Sequence, residues 1–384
     1  MRRWLALVGI GCLVAFGCSE SDDQAEPTEE TADEAVRDDD VQLACALLDD
    51  SGWSRADLPS DSIGLPVSMA ANDEHVVLVG SGSEGAIAAH VSSGGLSWGQ
   101  IEDFPNWQSL GHSVAGNATG FVAVGTRNGA MPSTPVVAFS ADGTTWDELD
   151  PESLPADDVR AFSEVFAGPE GFIILGGSSS PPGLLSWHSS DGSTWVETDL
   201  PQTARTAAVA ATDSGWVALT EPPMEVWASS DGIAWTEVET RSTPPDHALW
   251  PRWAHIGTAP LQVQDDAWVL ALVGAPDDAP WPHYPTVWVS TDGGASWNEH
   301  AVWNGSEANG FEVEDMVATE LGLILVGQQD LTGRAENYLH SSDDGTSWQH
   351  CWTGPLAFTE LVAFGGGIVA FDSEFGDVLV WNEP

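Results

Sequence analysis

Ser341-Ser342-Asp343-Asp344-Gly345-Thr346-Ser347-Trp348 decides the fold, because close copies of it recur along the 384-residue chain. A second full-length version is Ser290-Thr291-Asp292-Gly293-Gly294-Ala295-Ser296-Trp297, versions one residue shorter run from Ser140 to Trp146, Ser189 to Trp195 and Ser229 to Trp235, and Ser92 to Trp98 is a degraded copy with Gly94 in place of the aspartate. An Asp placed two residues after a strand-ending Ser accepts hydrogen bonds from the backbone N–H groups that follow, the Gly supplies a positive φ, and the Trp opens the next strand. Each copy is therefore expected to be a tight hairpin corner. Asp142, Asp191, Asp231, Asp292 and Asp343 hold those corners together and are not candidates for chemistry, since a carboxylate engaged by its own backbone is poorly placed to move protons.

The pattern Ser-x-Asp-x-Gly-x-x-Trp resembles the Asp box of the BNR repeats found in sialidases, sortilin-type receptors and bacterial surface propellers. The resemblance covers most of the chain and implies a β-propeller. It marks a fold and not an activity.

Working outward from the boxes, their serines are spaced 48, 49, 40, 61 and 51 residues apart, which suits a four-stranded propeller blade and is too long for one coil of a β-helix. Second-strand runs can be counted independently: 75–79, which opens on His75, and 121–124, 172–175, 216–219, 268–272, 323–326 and 368–371 are otherwise apolar and bounded by turn residues. They number seven. The last unit has only three strands, ending in Val378-Leu379-Val380-Trp381, while the segment from Ser51 to Pro59, with Trp53 at its head, resembles the box-to-fourth-strand segment from Asp191 to Pro201. Pairing the termini closes the ring and removes an exposed edge. The expected fold is thus all-β, a seven-bladed propeller over residues 51–384, with six blades, as in true sialidases, as the alternative.

Residues 1–17 stand outside this unit. Arg2 and Arg3 precede an apolar run to Gly17 that has the length of a signal-peptide h-region and is too short for a transmembrane helix. Ala15-Phe16-Gly17-Cys18-Ser19 resembles a bacterial lipobox, which implies lipidation of Cys18 and anchoring through the N-terminal lipid alone; plain cleavage and an uncleaved anchor are the other readings, and Phe16 departs from the usual small residue. Residues 18–50 form an acidic tether: 13 acidic residues against one Arg follow Cys18, too little apolar surface to offset ordering entropy.

The chain has no Lys, and its 59 acidic residues against the eight Arg beyond the signal leave a charge of about −51. Binding to phosphate backbones or anionic lipid head groups is disfavoured, so nucleic acid is excluded as a partner. Twenty Trp against two Tyr suit a ring in which Trp is used as a wedge between blades. Cys45, just before the closing strand, and Cys351, in the fourth strand of the sixth unit, fall next to each other in such a ring, so a disulfide is expected in an oxidising exterior; two free thiols is the other reading.

Chemistry is expected on the face opposite the boxes, where the loops leading into each blade meet those joining second and third strands. Arg127, Arg160, Arg205, Arg241, Arg252 and Arg334 fall in these loops or at their edges, and Trp281 and Tyr284 lie in a Pro-rich one. Guanidinium groups on an acidic body suit a carboxylate, sulfate or acidic partner, and the sialidase resemblance implies an Arg cluster on a substrate carboxylate. Each Arg neutralising its acidic neighbours is the plainer reading. Of the family's catalytic residues only Tyr338 with Glu336 suggests a match, Arg334, Glu336 and Tyr338 alternating along one extended segment. The His residues show no metal-ligand spacing, and neither a calcium-loop pattern nor a phosphate-binding glycine loop is present, so no metal or cofactor is expected. The reading is a monomeric, non-catalytic module that binds a glycan, peptide or partner protein at its loop face; the alternative is a sialidase-like glycoside hydrolase.

Overall fold

A computed structural model describes residues 45, 48, 52–59, 64–82, 87–105, 107, 113–127, 134–150, 154, 159–179, 182–201, 206–221, 224–242, 261–264, 266–274, 284–302, 311–330 and 335–382. The expected signal segment 1–17, the expected lipidation site Cys18 and most of the expected tether 18–50 lie outside them. Strand β1 (Trp53–Arg55) precedes the first complete blade, β2 (Gly64–Ala71), β3 (Val76–Ser81), β4 (Ile87–Ser92) and β5 (Gly99–Gln100). Blade 2 is β6 (Ser113–Asn117), β7 (Gly120–Arg127), β8 (Thr134–Ser140) and β9 (Asp147–Glu148); blade 3 is β10 (Val159–Gly168), β11 (Gly171–Ser179), β12 (Pro182–Ser189) and β13 (Val196–Glu197). Blade 4 is β14 (Thr206–Thr212), β15 (Gly215–Glu221), β16 (Glu225–Ser229) and β17 (Thr236–Glu237); blade 5 is β18 (Leu261–Gln264), β19 (Ala267–Gly274), β20 (Tyr284–Ser290) and β21 (Asn298–Ala301). Blade 6 is β22 (Phe311–Thr319), β23 (Gly322–Asp330), β24 (Ala335–Ser342) and β25 (Gln349–Gly354), and blade 7 begins with β26 (Phe358–Phe364), β27 (Gly367–Asp372) and β28 (Asp377–Trp381).

Every blade is an antiparallel meander of four strands, and blade 7 takes β1 as its fourth. Trp53 pairs with Trp381, Ser54 with Val380 and Arg55 with Leu379, as the sequence argument requires. The closure is reinforced by the Arg55–Asp377 ion pair at 2.8 Å and by the Trp53 ring against Phe358, with centroids 4.7 Å apart. Seven blades are formed, not six. Cys45 and Cys351 are joined as a disulfide, and Leu48 between them and β1 is buried among blade 6 and blade 7 side chains.

The core lies in the seams. Each of the seven apolar clusters combines residues of two neighbouring blades: in β7, Phe121 and Ala123 pack toward blade 1 while Val122 and Val124 pack toward blade 3. This explains why the second-strand runs are unbroken apolar stretches, since both faces of each strand are covered.

The repeated turn behaves as its residues dictate. Asp191 Oδ1 accepts from the N–H groups of Ser193 and Thr194, both at 2.8 Å, and from the Ser189 hydroxyl at 3.1 Å, and Trp195 Nε1 donates to Gly192 O at 3.2 Å. These bonds hold the carboxyls of Asp142 and Asp191 down at about 2. In the last copy the register differs from expectation by one residue. Asp344, not Asp343, accepts from Thr346 N at 2.8 Å and Ser347 N at 3.3 Å, and Ser342, not Ser341, accepts from Gly345 N. The turn's Gly and Trp fix the spacing, and counting back from them gives the same seven-residue pattern as the shorter copies.

Three of the turns also anchor the chain leaving the previous blade. Trp98 N donates to Asp57 O at 3.1 Å, Trp235 N to the Asp199 carboxylate at 2.6 Å and Trp297 N to the Ser242 hydroxyl at 3.1 Å.

Candidate functional site

The inner strands β2, β6, β10, β14, β18, β22 and β26 surround a central channel whose cavity measures about 430 Å³. Inner strands carry one unpaired edge, and a buried N–H on that edge needs an acceptor. In this ring the neighbouring blade supplies it. Ser68 Oγ accepts from Val114 N at 3.2 Å, Ser113 Oγ from Val165 N at 3.3 Å, and Asp315 Oδ2 from Leu361 N at 2.7 Å, while the Glu360 carboxyl accepts from Met69 N.

These acceptors occupy one structural position. Ser68 pairs with Val79, Ser113 with Val124, Glu164 with Leu175, Asp315 with Val326 and Glu360 with Phe371, each the last apolar residue of its second-strand run. In blades 3, 6 and 7 the strand bulges just before it, between Phe162 and Glu164, Val313 and Asp315, and Phe358 and Glu360. The bulge re-aims the side chain along the ring toward the next blade.

The consequence is a belt of carboxyl groups, Glu164, Glu314, Asp315 and Glu360, facing one lumen. Burial pushes Asp315 up to about 7, against the pull of the Leu361 and Met316 N–H groups, and the Glu314 charge adds to the rise. Burial also drives Glu360 well above the ordinary carboxyl range, helped by the charges of Asp315, Glu314 and Glu164. No Arg or His is among the channel-lining residues described, and among the described residues no three His, Cys, Asp or Glu converge to hold a metal. A second cavity of about 580 Å³ opens among first-to-second-strand turns, bordered by Asn72, Asp73, Asn117, Thr319, Glu320 and Gly365. In an antiparallel meander those turns share an end with the Asp-bearing corners.

Residues 182–355 match the model of the DUF6242 beta propeller domain. It is a propeller by sequence pattern and by architecture alike. No curated protein matches the chain. Among solved structures, the GH74 xyloglucanase from Xanthomonas campestris aligns at 16% identity and a TM-score of 0.53 over 84% of this chain and 52% of that one, so this chain spans about half of that enzyme. A streptogramin B lyase aligns at 12% identity and a TM-score of 0.53 over 85% of this chain and 96% of that one. The virginiamycin B lyase from Staphylococcus aureus, solved with quinupristin, aligns at 11% identity and a TM-score of 0.53, covering 86% and 99%. At such identities the likeness is one of fold.

The candidate loop-face residues do not converge among the described positions. Arg127, at the end of β7, bonds to Glu148 of β9, which also accepts from Trp107 Nε1 at 3.2 Å. That guanidinium therefore reaches across its blade to the fourth strand, away from the channel. Arg241 donates its N–H to Ala295 O at 2.7 Å and its charge helps hold Asp292 below the ordinary range, behind the Ser296 hydrogen bonds. It belongs to the corner of blade 5 and not to the loop face. Arg160 lies in β10, and Tyr284 opens β20; Arg205, Arg252, Arg334 and Trp281 lie outside the described residues. Glu336 is exposed on β24, but Tyr338, two residues on, is 3% exposed within the seam of blades 5 and 6, its ring edge-on to His340.

Sequence reasoning missed the channel belt. Its signal was present: an acidic residue or Ser in register with the end of the apolar run in blades 1, 2, 3, 6 and 7, where a first strand that only packs, as in blade 4 with Ala208, carries an apolar side chain.

Proposed function

We propose that this propeller is an exported, lipid-anchored binding or scaffolding module, held to a membrane through Cys18 and contacting a glycan, peptide or partner protein with the face opposite its Asp-bearing corners. The observation that carries the non-catalytic reading is the burial of Tyr338, 3% exposed in a third strand, two strands removed from the channel. A nucleophile needs a carboxyl partner and a substrate within hydrogen-bond reach, and neither fits in a packed seam. The engagement of Arg127 by Glu148 points the same way. The propellers with which this one shares its fold include a xyloglucanase and two lyases named for streptogramin and virginiamycin, a likeness of fold.

The anchored, resemblance-derived Asp-box reading rests on the Ser-x-Asp-Gly-x-x-Trp corners and the Gly17-Cys18 order. A glycan array and a panel of fluorogenic glycosides, applied to the full chain, test the function. Binding without turnover, weakened by Arg160→Ala or Arg252→Ala, is expected; hydrolysis of a sialoside that vanishes in Tyr338→Phe would establish the hydrolase instead. Cys18→Ser is expected to move the protein from the membrane to the soluble fraction, and unchanged retention would replace the lipid anchor with an uncleaved helix.

A further inference from the structure

We propose that Asp315 and Glu360, the two side chains that clasp blade 7 to its neighbours, form a proton-operated latch: protons tighten both seams of the ring-closing blade, and their loss loosens it. The inference rests on where the carboxyls sit. The seams of blade 1 with blade 2 and of blade 2 with blade 3 are bridged by hydroxyls, Ser68 to Val114 N and Ser113 to Val165 N. The two seams of blade 7 are bridged by carboxyls, Asp315 to Leu361 N and Glu360 to Met69 N. Blade 7 is also the blade completed by the three-residue strand β1 from the other end of the chain. The part of the ring with the least covalent continuity is thus the part held by ionisable groups.

The groups facing this latch are all of one sign. From β10 comes Glu164, 8% exposed; from β22 comes Glu314 beside Asp315; from β26 comes Glu360. The described lining residues of β2, β6, β14 and β18 carry no ionisable group, and Gln262 of β18 donates its amide to Met316 O at 2.8 Å. A protonated carboxyl still accepts an N–H and adds a donor, so protonation keeps the bridge. Ionisation keeps the bridge as well but crowds like charges in a narrow lumen, and relief comes from letting blade 7 and its neighbours part.

The direction follows from burial and like charge. Asp315 is pushed up to about 7 from an ordinary 3.8, and Glu360 moves the same way. A carboxyl raised in the closed ring stabilises closure fully below its ordinary value and loses that contribution as pH climbs to the raised one. For Asp315 the window is therefore about pH 4 to 7, and for Glu360 it runs upward from the ordinary carboxyl range.

Hydrogen exchange on the full chain, with protection factors corrected for intrinsic rates, reads each seam at its own amide. The Leu361 amide is expected to lose protection by up to tenfold per pH unit between about pH 4 and 7 and then level off, and the Met69 amide to lose protection over the same range and on above it. The Val114 and Val165 amides, bridged by Ser hydroxyls, are the internal controls and are expected to stay flat. Glu360→Gln should flatten Met69 while leaving the controls unchanged. Should that variant not fold, Glu164→Gln removes one like charge and is expected to shift the Met69 curve to higher protection at pH 6–7. Four amides that fall together, or a Met69 curve unmoved by both variants, overturn the latch.

Discussion

Gly192→Ala tests how the repeated corners plug the seams. Gly192 has φ = 75°, and a Cβ there would overlap the Phe139 ring of blade 2 and touch Val122. Holding an L-residue in the left-handed region costs roughly 1–2 kcal/mol. Forcing a methyl group into a packed seam costs about 1–3 kcal/mol more. The expected destabilisation is about 2–5 kcal/mol, large against the net stability of a domain. Gly177→Ala is the control: Gly177 lies in β11 with no left-handed φ, and a Cβ there meets nothing within 4 Å. It is expected to fall within about 0.5 kcal/mol of wild type. Urea denaturation followed by Trp fluorescence measures both. If the two variants lose the same stability, or Gly192→Ala loses less than about 1 kcal/mol, the corners are surface turns and not seam plugs.

Three further outcomes follow from other parts of the ring. Asp344→Ala should lose about 0.5–2 kcal/mol, as for a lost cap, and more than Asp343→Ala, since the last corner is built on Asp344; the reverse order in thermal melts would restore the other register. Cys351→Ser should destabilise by about 2–4 kcal/mol, below the ceiling of about 6 kcal/mol that chain entropy sets for partners 306 residues apart, and a loss under 1 kcal/mol in denaturation without reductant would contradict this. Stability against pH should show a plateau with edges of different origin. Below about pH 4 the corner aspartates, held down at about 2, and His340, held at about 3 by burial, take up protons and withdraw their contributions. Across pH 4–6.5 the unfolded chain gives up imidazole protons that burial already excludes from His340, His350 and His188 in the fold, and that gain offsets the losses at Asp315 and Glu360; above that range Asp315 and Glu360 continue to lower stability toward and beyond pH 7. Calorimetry that finds the maximum at pH 8 would reject this assignment.

The architecture was legible because a propeller writes itself in a period. Residues buried on both faces, such as 121–124 and 368–371, read as unbroken apolar runs, and the box spacing gave the blade length without reference to them. Closure was legible because Trp53 repeats the position of Trp195. The register of the last corner was not, because Ser341-Ser342 and Asp343-Asp344 are doublets that satisfy the pattern in two frames, and only the distance back from Gly345 separates them. The channel belt was harder. Glu164, Asp315 and Glu360 are separated by whole blades, and their common position depends on bulges that add a residue to the first strand and hide the alternation. Loop position says nothing of direction, and Arg127 bonds Glu148 in the fourth strand of its own blade.

The disulfide decides where a pull on the N-terminal side of the protein is felt. Tension transmitted along the chain to Cys45 divides there, and the covalent branch leads through Cys351 into β25, the outermost strand of blade 6. Without that branch the same tension would reach Trp53, Ser54 and Arg55 one pair at a time, the weakest way to load a strand held by three residues. A pull from residues before Cys45 is thus taken by blade 6 and not by the three-residue closing strand of blade 7.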